Sequence, residues 1–392
     1  MEKVRFGIIG IGNMGSSHSK KFLEGKIENG VLTAICDLKP AKTDAIRARP
    51  GAENIKAFTD YKEMLASGLC DAVIVAVPHY FHPPMSIDAL NAGLHVICEK
   101  PAGVYTKQVK EMNEVAKKSD KIFTMMFNQR TNCVYRKMHD MIRDGEIGEI
   151  KRVNWIITTW YRSQSYYDSG DWRATWSGEG GGVLFNQCPH QLDLLQWVTG
   201  MMPTRVHSFC HFGKWHDIEV EDDVTAYLEY ENGATGVFVT STADTPGTNR
   251  FEILGTKGKL VCEAIKGKGD ILTFHKLEKS EREFNATYKG GFGEPKQEII
   301  QVETDGKNPQ HIGIINNFAN TILGLEPLFV DGTEGIRGVE LMDSMLLSTW
   351  LGKTVSLPIH DDQYLDELNK RIATSRRKEG GDVVLDTEGT YK

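Results

Sequence analysis

Apolar runs alternate with amphipathic segments over the first third of the chain. Six runs have the length and apolar content of buried strands: residues 4–9, 31–36, 56–58, 72–77, 95–98 and 122–127. Five segments between them have helical character: residues 14–25, 41–48, 61–67, 83–92 and 106–119. Strands that alternate with helices in this way predict βαβ units and a parallel sheet.

The pattern changes after about residue 128. Eight apolar runs then follow more closely and alternate between apolar and polar positions: residues 150–160, 204–212, 223–230, 235–241, 250–254, 258–263, 270–276 and 297–302. Such alternation is typical of an antiparallel sheet. Further helices are predicted over residues 135–143, 188–198, 311–323 and 335–351. A charged tail begins near residue 360, and we interpret it as an arm toward another subunit or a loosely ordered terminus.

Composition narrows the class of protein. A chain of 392 residues is long enough for two domains, which we place at residues 1–127 and 128–358, followed by the tail at 359–392. A formal net charge of −7 argues against a nucleic-acid or anionic-membrane surface. No stretch approaches the roughly 18–20 apolar residues of a membrane span, and no targeting signal is recognised. Seven scattered cysteines without a CxxC pair favour reduced thiols and a cytoplasmic location.

A glycine-rich turn follows the first predicted strand. In Gly10-Ile11-Gly12-Asn13-Met14-Gly15, the first glycine permits a tight turn, the second a close approach to pyrophosphate, and the third close packing of helix on strand. Asp37 ends the second strand, where a carboxylate can bind adenosine ribose hydroxyls and repel a 2′-phosphate. NAD is therefore expected in preference to NADP. The alternatives are a glycine turn used for packing and a surface acid at Asp37.

The second motif is Glu99-Lys100-Pro101 at the end of the run 95–98. Open parallel sheets bind ligands outside the carboxyl ends of their strands. A lysine at that edge can hold a hydroxyl or carbonyl oxygen and stabilise developing negative charge. The alternative is a solvated lysine paired with Glu99.

The third motif runs from Gly180-Gly181-Gly182 to His190 and Asp193. His190 lies in the predicted first turn of a helix, and a histidine side chain titrates in the range suited to proton transfer. Asp193 shares its helical face, and Asn186 precedes it by four residues. A structural hydrogen bond at His190 is the alternative. Cys188 and His190 lack a second ligand pair, so we expect no metal.

In this order, the motifs resemble those of the Gfo/Idh/MocA oxidoreductase family. The resemblance covers roughly residues 3–352 and includes several further pieces: Val77-Pro78 with His82, Asn128-Gln129-Arg130, Asp144 to Gly148, Asp222-Asp223, Asn232-Gly233 and Leu254 to Gly258. It implies an N-terminal Rossmann domain, a doubly wound parallel sheet, and a C-terminal α/β domain. The large, mainly antiparallel open sheet of that second domain commonly packs against another subunit, so a homodimer or homotetramer is expected.

The resemblance also implies roles for particular residues. Lys100 matches the family's catalytic lysine, and His190 matches the usual general base. Asn186 departs from the family pattern, since an aspartate often stands there; an amide can orient His190 but cannot accept its proton. We count all three as catalytic candidates. The expected cofactor contacts are Gly10, Gly12, Asn13, Met14, Gly15, Asp37, Pro78, His82, Glu99, Lys100 and Asn128.

A stretch rich in aromatic and charged residues precedes the glycines of the third motif, and aromatic faces suit sugar rings. The expected substrate contacts are Lys100, Tyr167, Trp172, Arg173, Asn186, His190 and Asp193. Ordinary packing is the alternative for the aromatic residues, and a structural salt bridge is the alternative for Arg130.

These observations predict an NAD-dependent oxidoreductase acting on a secondary hydroxyl of a sugar, glycoside or cyclitol. Two alternatives stay open. One is a redox-neutral glycosidase or lyase that works through a transient keto-sugar, which the amide at Asn186 keeps open. The other is a non-catalytic nucleotide sensor, against which the presence of Lys100 and His190 argues.

Overall fold

A computed structural model describes residues 3–265, 267 and 269–376. Six parallel strands form the first sheet, in the order β3-β2-β1-β4-β5-β6. The strands are β1 (Val4–Ile9), β2 (Gly30–Cys36), β3 (Lys56–Phe58), β4 (Ala72–Val75), β5 (His95–Cys98) and β6 (Phe123–Met125). The helices between them are α1 (Asn13–Leu23), α2 (Pro40–Arg47), α3 (Tyr61–Ala66), α4 (His82–Asn91) and α5 (Thr106–Lys118).

The central strands of this sheet are apolar on both faces because helices cover both faces. All four residues of β4 are buried, as are most of those of β1. The chain leaves β1 toward β2 on one side and later returns to β4 on the other. That reversal opens a crevice at the carboxyl ends of β1 and β4, where doubly wound sheets bind their ligands.

Nine strands form the second sheet, in the order β14-β13-β12-β11-β7-β10-β9-β8-β15. Among the described pairs of this second sheet, only β7 and β10 are parallel, and the others are antiparallel. The strands are β7 (Ile150–Ile157), β8 (Arg205–Phe212), β9 (Glu221–Glu229), β10 (Thr235–Ser241), β11 (Asn249–Gly255), β12 (Gly258–Ile265), β13 (Gly269–Leu277), β14 (Gln297–Gln301) and β15 (Val355–Ser356). The predicted fold class, a Rossmann sheet followed by a mainly antiparallel sheet, is confirmed.

Helices cover one face of the second sheet. They are α6 (Cys133–Arg143) and α12 (Gly335–Leu351), with α9 (Pro189–Thr199) packed against both. The other long helix, α11 (Gln310–Ile322), packs on the first domain, where the Phe318 ring lies 6.3 Å from that of Phe6 in β1. Trp155 of β7 is fully buried between Phe251, on which it stacks with ring centroids 4.1 Å apart, and Tyr135 of α6. Aromatic rings of this size dominate the energy of such a core.

Several short elements were not predicted from the pattern. They are α7 (Gln164–Tyr167), α8 (Val183–Asn186), α10 (Glu281–Thr287) and the two-residue strand β15. Segments this short lack a full hydrophobic period, so only their tertiary surroundings determine them. The run 72–77 also ends earlier than predicted, at Val75, where the chain turns toward Pro78.

The predicted charged tail differs most from the structure. Residues Asp361–Ile372 form a helix, α13, that packs on α5 and α12. Asp361 accepts hydrogen bonds from Thr106 and Lys110 of α5, and Tyr364 and Leu368 are fully buried. The charged sequence concealed this contact because only four of the twelve helix residues, Tyr364, Leu365, Leu368 and Ile372, are apolar or aromatic. Residues 377–392 of the predicted tail lie outside the described residues.

None of the helices in the described ranges combines the length and the apolar character needed to cross a bilayer.

Replacing Tyr364 with alanine is expected to destabilise the protein by about 3 kcal/mol, as large-to-small changes of buried aromatic residues do. The ring is fully buried and stacks on Trp350 with centroids 5.4 Å apart. Urea unfolding of Tyr364→Ala and of Asp366→Ala, an exposed position of the same helix, measures the difference. Equal midpoints in the two variants would contradict the packing described for α13.

Candidate active site

The glycine-rich turn joins β1 to α1 in a conformation that side chains would prevent. Gly10 has φ +91°, and a Cβ there would lie 2.4 Å from the carbonyl oxygen of Ala76. A Cβ on Gly15 would lie 1.9 Å from the Gly10 oxygen. A Cβ on Gly12, by contrast, would meet nothing within 4 Å. Gly10 and Gly15 therefore allow close packing, whereas Gly12 faces open space.

The amino terminus of α1 is free to receive an anion. The helix starts at Asn13, Met14 and Gly15, and no side chain caps its first amides. Such a terminus attracts phosphate through its unpaired N–H groups and its dipole. Asp37 lies beside the turn, since its carboxylate accepts a hydrogen bond of 2.8 Å from the Ile11 amide. These features fit the pyrophosphate and ribose of a dinucleotide.

Glu99 and Lys100 follow β5, at the same edge of the sheet. Glu99 is buried, and its carboxylate lies 2.6 Å from Nε2 of His18 in α1. Burial alone raises the pKa of Glu99, but the hydrogen bond and charge of His18, with the charge of His311, outweigh it and lower the pKa to about 2. The carboxylate therefore stays ionised next to Lys100.

The Lys100 side chain reaches from the first domain to the second. Its ammonium donates a hydrogen bond of 2.9 Å to the backbone oxygen of Asn186, the last residue of α8. Burial lowers the pKa of Lys100, while the charges of Glu99 and Glu179 oppose that effect. The Lys100–Pro101 peptide bond is cis.

His190 stands in the first turn of α9, directly after Pro189. Its Nδ1 atom is buried and has no hydrogen-bond partner among the described residues. Burial, and then the charge of Lys100, lowers the pKa of His190 well below its usual value. The imidazole is therefore neutral near pH 7, which is the form that accepts a proton.

The side chain of Asn186 is the centre of a polar network. Its Oδ1 accepts hydrogen bonds of 3.1 Å from the Tyr166 hydroxyl and 3.1 Å from Gln187. Its Nδ2 donates to the carboxylate of Glu179. Lys100 binds the backbone of the same residue, so Asn186 connects the lysine to all three side chains.

Arg173 and Trp172 lie beside this network. The Arg173 guanidinium donates to the Tyr166 hydroxyl at 2.8 Å and lies over the Tyr166 and Trp172 rings, 4.5 and 4.8 Å from their centroids. Trp172 is 6.0 Å from His79, which follows β4. These half-buried rings form a wall next to Asn186, of the kind that binds sugar rings.

Two of the expected substrate contacts point elsewhere. Both oxygens of Asp193 bind Arg130, at 2.6 and 2.8 Å, in a fully buried ion pair. Arg130 is therefore in the structural salt bridge weighed as its alternative. The Tyr167 hydroxyl bonds Thr242 at 2.8 Å inside the core, whereas its neighbour Tyr166 faces Asn186. The sequence could not show which of these two adjacent tyrosines in a four-residue helix faces the site and which faces the core.

The other expected cofactor contacts lie around the crevice. Pro78 begins the turn after β4, and His82 is buried with its ring nitrogens 2.6 and 2.7 Å from the carbonyl oxygens of Pro101 and Val77. Asn128 follows β6, donates to Gln310, and leaves its own Oδ1 buried without a partner in the described part of the chain. His82 thus fixes the loop that carries Lys100.

Sequence reasoning missed three residues that border the site. Glu179 directly precedes the glycine run and was not considered, and His18 and His311 lie 81 and 212 residues from their common neighbour Glu99. The rings of the two histidines are 5.5 Å apart. No sequence spacing could have joined the two histidines, because only the docking of α1 and α11 on the first sheet brings them together.

Among the described residues, no three His, Cys, Asp or Glu side chains converge as ligands for a metal ion.

Comparison with known proteins identifies the family. Residues 4–127 match the oxidoreductase family with an NAD-binding Rossmann fold, and residues 135–261 match the GFO/IDH/MocA C-terminal domain. The chain belongs to the Gfo/Idh/MocA oxidoreductase family. The two matches follow the two sheets and together cover more than half of the chain.

Relatives within the family act on several polyhydroxylated compounds. Myo-inositol 2-dehydrogenase of Thermotoga maritima is 25% identical, over 78% of this chain and 90% of its own. D-glucoside 3-dehydrogenase of Escherichia coli is 30% identical, over 52% of this chain and 60% of its own. The WlbA dehydrogenase of Bordetella pertussis, solved with NADH and UDP-GlcNAcA, superimposes with a TM-score of 0.77 at 25% identity, covering 92% of this chain and 99% of its own.

The family and the glycine turn together establish the class of activity. The protein is an NAD-binding oxidoreductase of the dehydrogenase type, and its relatives act on sugar-like hydroxyl groups. The expected family and cofactor are confirmed.

Gly12→Ala is expected to weaken NAD binding by roughly tenfold, or about 1.4 kcal/mol, without lowering the melting temperature. The added methyl group meets no protein atom, so it interferes only with a ligand at the turn. Gly291→Ala, which also adds a methyl group in open space, is the matched control. Titration calorimetry and thermal unfolding measure both effects, and unchanged NAD affinity would place the pyrophosphate elsewhere.

Proposed function

We propose that this protein oxidises, or in reverse forms, a secondary hydroxyl of a sugar, glycoside or cyclitol. The observation that carries the proposal is the convergence of Lys100 and His190 beside the dinucleotide crevice. One is an ammonium on a half-buried side chain, and the other is a neutral imidazole whose Nδ1 has no partner among the described residues. A hydroxyl oxygen held by the first can lose its proton to the second.

NAD, when bound against the glycine turn, supplies the hydride acceptor. Lys100 donates a hydrogen bond to the substrate oxygen and stabilises the negative charge that develops there. His190 accepts the hydroxyl proton, and its lowered pKa keeps it unprotonated and competent near neutral pH. Asn186 holds Lys100 in place through its backbone oxygen. In the reverse direction, protonated His190 returns the proton.

The wall beside Asn186 supports a cyclic, polyhydroxylated substrate. Trp172 and Tyr166 offer apolar faces, while Arg173 and Gln187 offer donors for hydroxyl oxygens. Among the proposed substrate contacts, Tyr166 takes the place of Tyr167, whose hydroxyl bonds Thr242 in the core. Asp193 is no longer one of these contacts, because it forms an ion pair with Arg130. The aromatic and amide groups carry no net charge, which suits neutral ligands.

A redox-neutral glycosidase or lyase is a second candidate. Asn186 keeps this candidate open, because an amide can orient His190 but cannot relay its proton as an aspartate could. In such a reaction a transient ketone would acidify the neighbouring C–H bond and permit elimination of the leaving group. Return of the hydride to that ketone would restore the hydroxyl and leave no net NADH.

Substrate screening with added NAD should produce NADH with one class among cyclitols, aldoses, and aryl or alkyl glycosides. Lys100→Ala and His190→Ala should each reduce turnover by roughly 10²–10⁴-fold, since each removes a group acting on the reacting oxygen. Absorbance of reduced nicotinamide and mass spectrometry of products provide the measurement.

His275→Ala, which changes a histidine of β13, is the control and should retain full turnover. Product without net NADH would favour the redox-neutral candidate instead. Tight NAD binding with no turnover of any compound would contradict both reactions and favour a sensor.

We further propose that the protein forms a homodimer or homotetramer through the open face of its nine-stranded sheet. Register aligns Phe209, Thr225, Val239 and Ile156 in one row across four strands. Phe209 and Ile156 are 59% and 41% exposed, and Tyr227 on the same face is 43% exposed. A contiguous apolar face of this kind favours association with a second copy.

Phe209→Glu combined with Tyr227→Glu should convert the oligomer to a monomer, because two charges would be buried at the interface. Light scattering coupled to size-exclusion chromatography measures the mass. Leu325→Glu, a change at a 51% exposed residue after α11, is the control. A wild-type monomer at micromolar concentration would overturn the proposal.

A cytoplasmic location is also proposed, and the state of the cysteines supports it. All seven are free thiols, and six of them are buried. Burial raises the pKa of Cys188 to about 12, so this thiol stays protonated next to the site. Buried unpaired thiols are typical of proteins in reducing compartments.

A further inference from the structure

Glu179 is a fully buried carboxylate that the reaction outlined above does not use. It is 1% exposed and lies in the loop before α8. One oxygen accepts a hydrogen bond of 2.6 Å from the Ala174 amide, and the other accepts the Asn186 side chain. Ala174 has φ +56°, a conformation unfavourable for a residue with a Cβ, so the loop maintains local strain where it holds this carboxylate.

The contacts of Glu179 lead to Lys100 through a single residue. Asn186 donates its side-chain amide to Glu179 and offers its backbone oxygen to the Lys100 ammonium at 2.9 Å. Arg173 approaches the same carboxylate at 4.0 Å and binds Tyr166, which in turn donates to Asn186. Only Asn186 therefore separates the carboxylate of Glu179 from the ammonium of Lys100.

Asn186 itself has no charge with which to balance Lys100. Glu99 supplies the largest favourable charge on Lys100 while also binding His18 at 2.6 Å, and Glu179 supplies the next largest. A buried charge is costly unless an opposite charge lies close. We propose that Glu179 is a positioning residue for the oxidoreductase reaction: acting through Asn186, it supplies the negative charge that keeps Lys100 in its ammonium form. The inference rests on the proposed function of Lys100.

The charged and titratable groups that face Lys100 come from several elements. Two are carboxylates, Glu99 and Glu179; the others are Arg173, Cys188, His79, His82, His190 and His311. Among these groups, the two carboxylates Glu99 and Glu179 favour the ammonium, whereas burial and the charge of Arg173 oppose it. Loss of Glu179 therefore lowers the pKa of Lys100, and the ammonium is lost at a lower pH.

Glu179→Gln retains the volume of the side chain and removes its charge. We expect the alkaline limb of the kcat/KM profile to move to lower pH by roughly one unit or more, and kcat to fall by about tenfold or more. Lys100 is also titrated without substrate, by its rate of acylation against pH read by mass spectrometry. The same downward shift is expected there, whether or not a sugar substrate has been found.

Two further variants test the origin of the shift. Glu179→Gln combined with Asn186→Asp places the carboxylate one residue closer and should restore the Lys100 titration. Asp222→Asn is the matched control, because Asp222 is also fully buried and accepts backbone amides of Lys214 and Trp215, away from Asn186 and Lys100. It should leave the Lys100 titration unchanged.

The proposal is overturned if the Lys100 titration is the same in wild type and Glu179→Gln, or if Asp222→Asn moves it equally. It is also overturned if the double variant titrates no higher than Glu179→Gln. Should Glu179→Gln fail to fold, Glu179→Asp and the double variant decide the matter, since both retain a carboxylate and should keep the wild-type titration. A shifted titration without turnover of any sugar would contradict the proposed function and retain the role of Glu179.

Discussion

The candidate site depends on one constraint, which is that the half-buried ammonium of Lys100 loses hydration that the protein must compensate. Moving a lone charge from water into a low-dielectric interior costs roughly several kcal/mol of free energy unless opposite charges or hydrogen-bond partners surround it. Here the first domain contributes Glu99, and the second contributes Glu179 and the backbone of Asn186. The lysine is therefore placed correctly only when the two domains pack together, which couples assembly of the site to assembly of the molecule.

In the second domain, close backbone packing fixes the position of α8, which carries Asn186. A Cβ on Gly182 would lie 2.0 Å from the backbone oxygen of Glu221 in β9, so a side chain there would push α8 away from the sheet. The Glu221 carboxylate then accepts the amides of Gly182 and Leu184. Burial raises the pKa of Glu221 to about 8. The glycine run thus fixes the height of α8 and of Asn186 above the sheet.

Both sheets and most long helices could be predicted from periodicity, because each buries a regular apolar face. Charged or very short elements could not. The helix α13 keeps only Tyr364 and Leu368 fully buried, and α7 is a single turn. Among site residues, the glycine turn and Lys100 are local motifs with a fixed chemical purpose. The partners of Asp193 and Tyr167 are distant in sequence, so their inward orientation followed from packing.

The sequence by itself determined the family, the dinucleotide turn and the identity of the lysine and histidine, because each of these is encoded in a few consecutive residues. Only the tertiary structure decided how their charges are balanced. Glu99 lies 81 residues from His18, and Lys100 lies 79 residues from Glu179. Electrostatic compensation depends on distance in space and on exclusion of water, and neither is written in the spacing of residues along the chain.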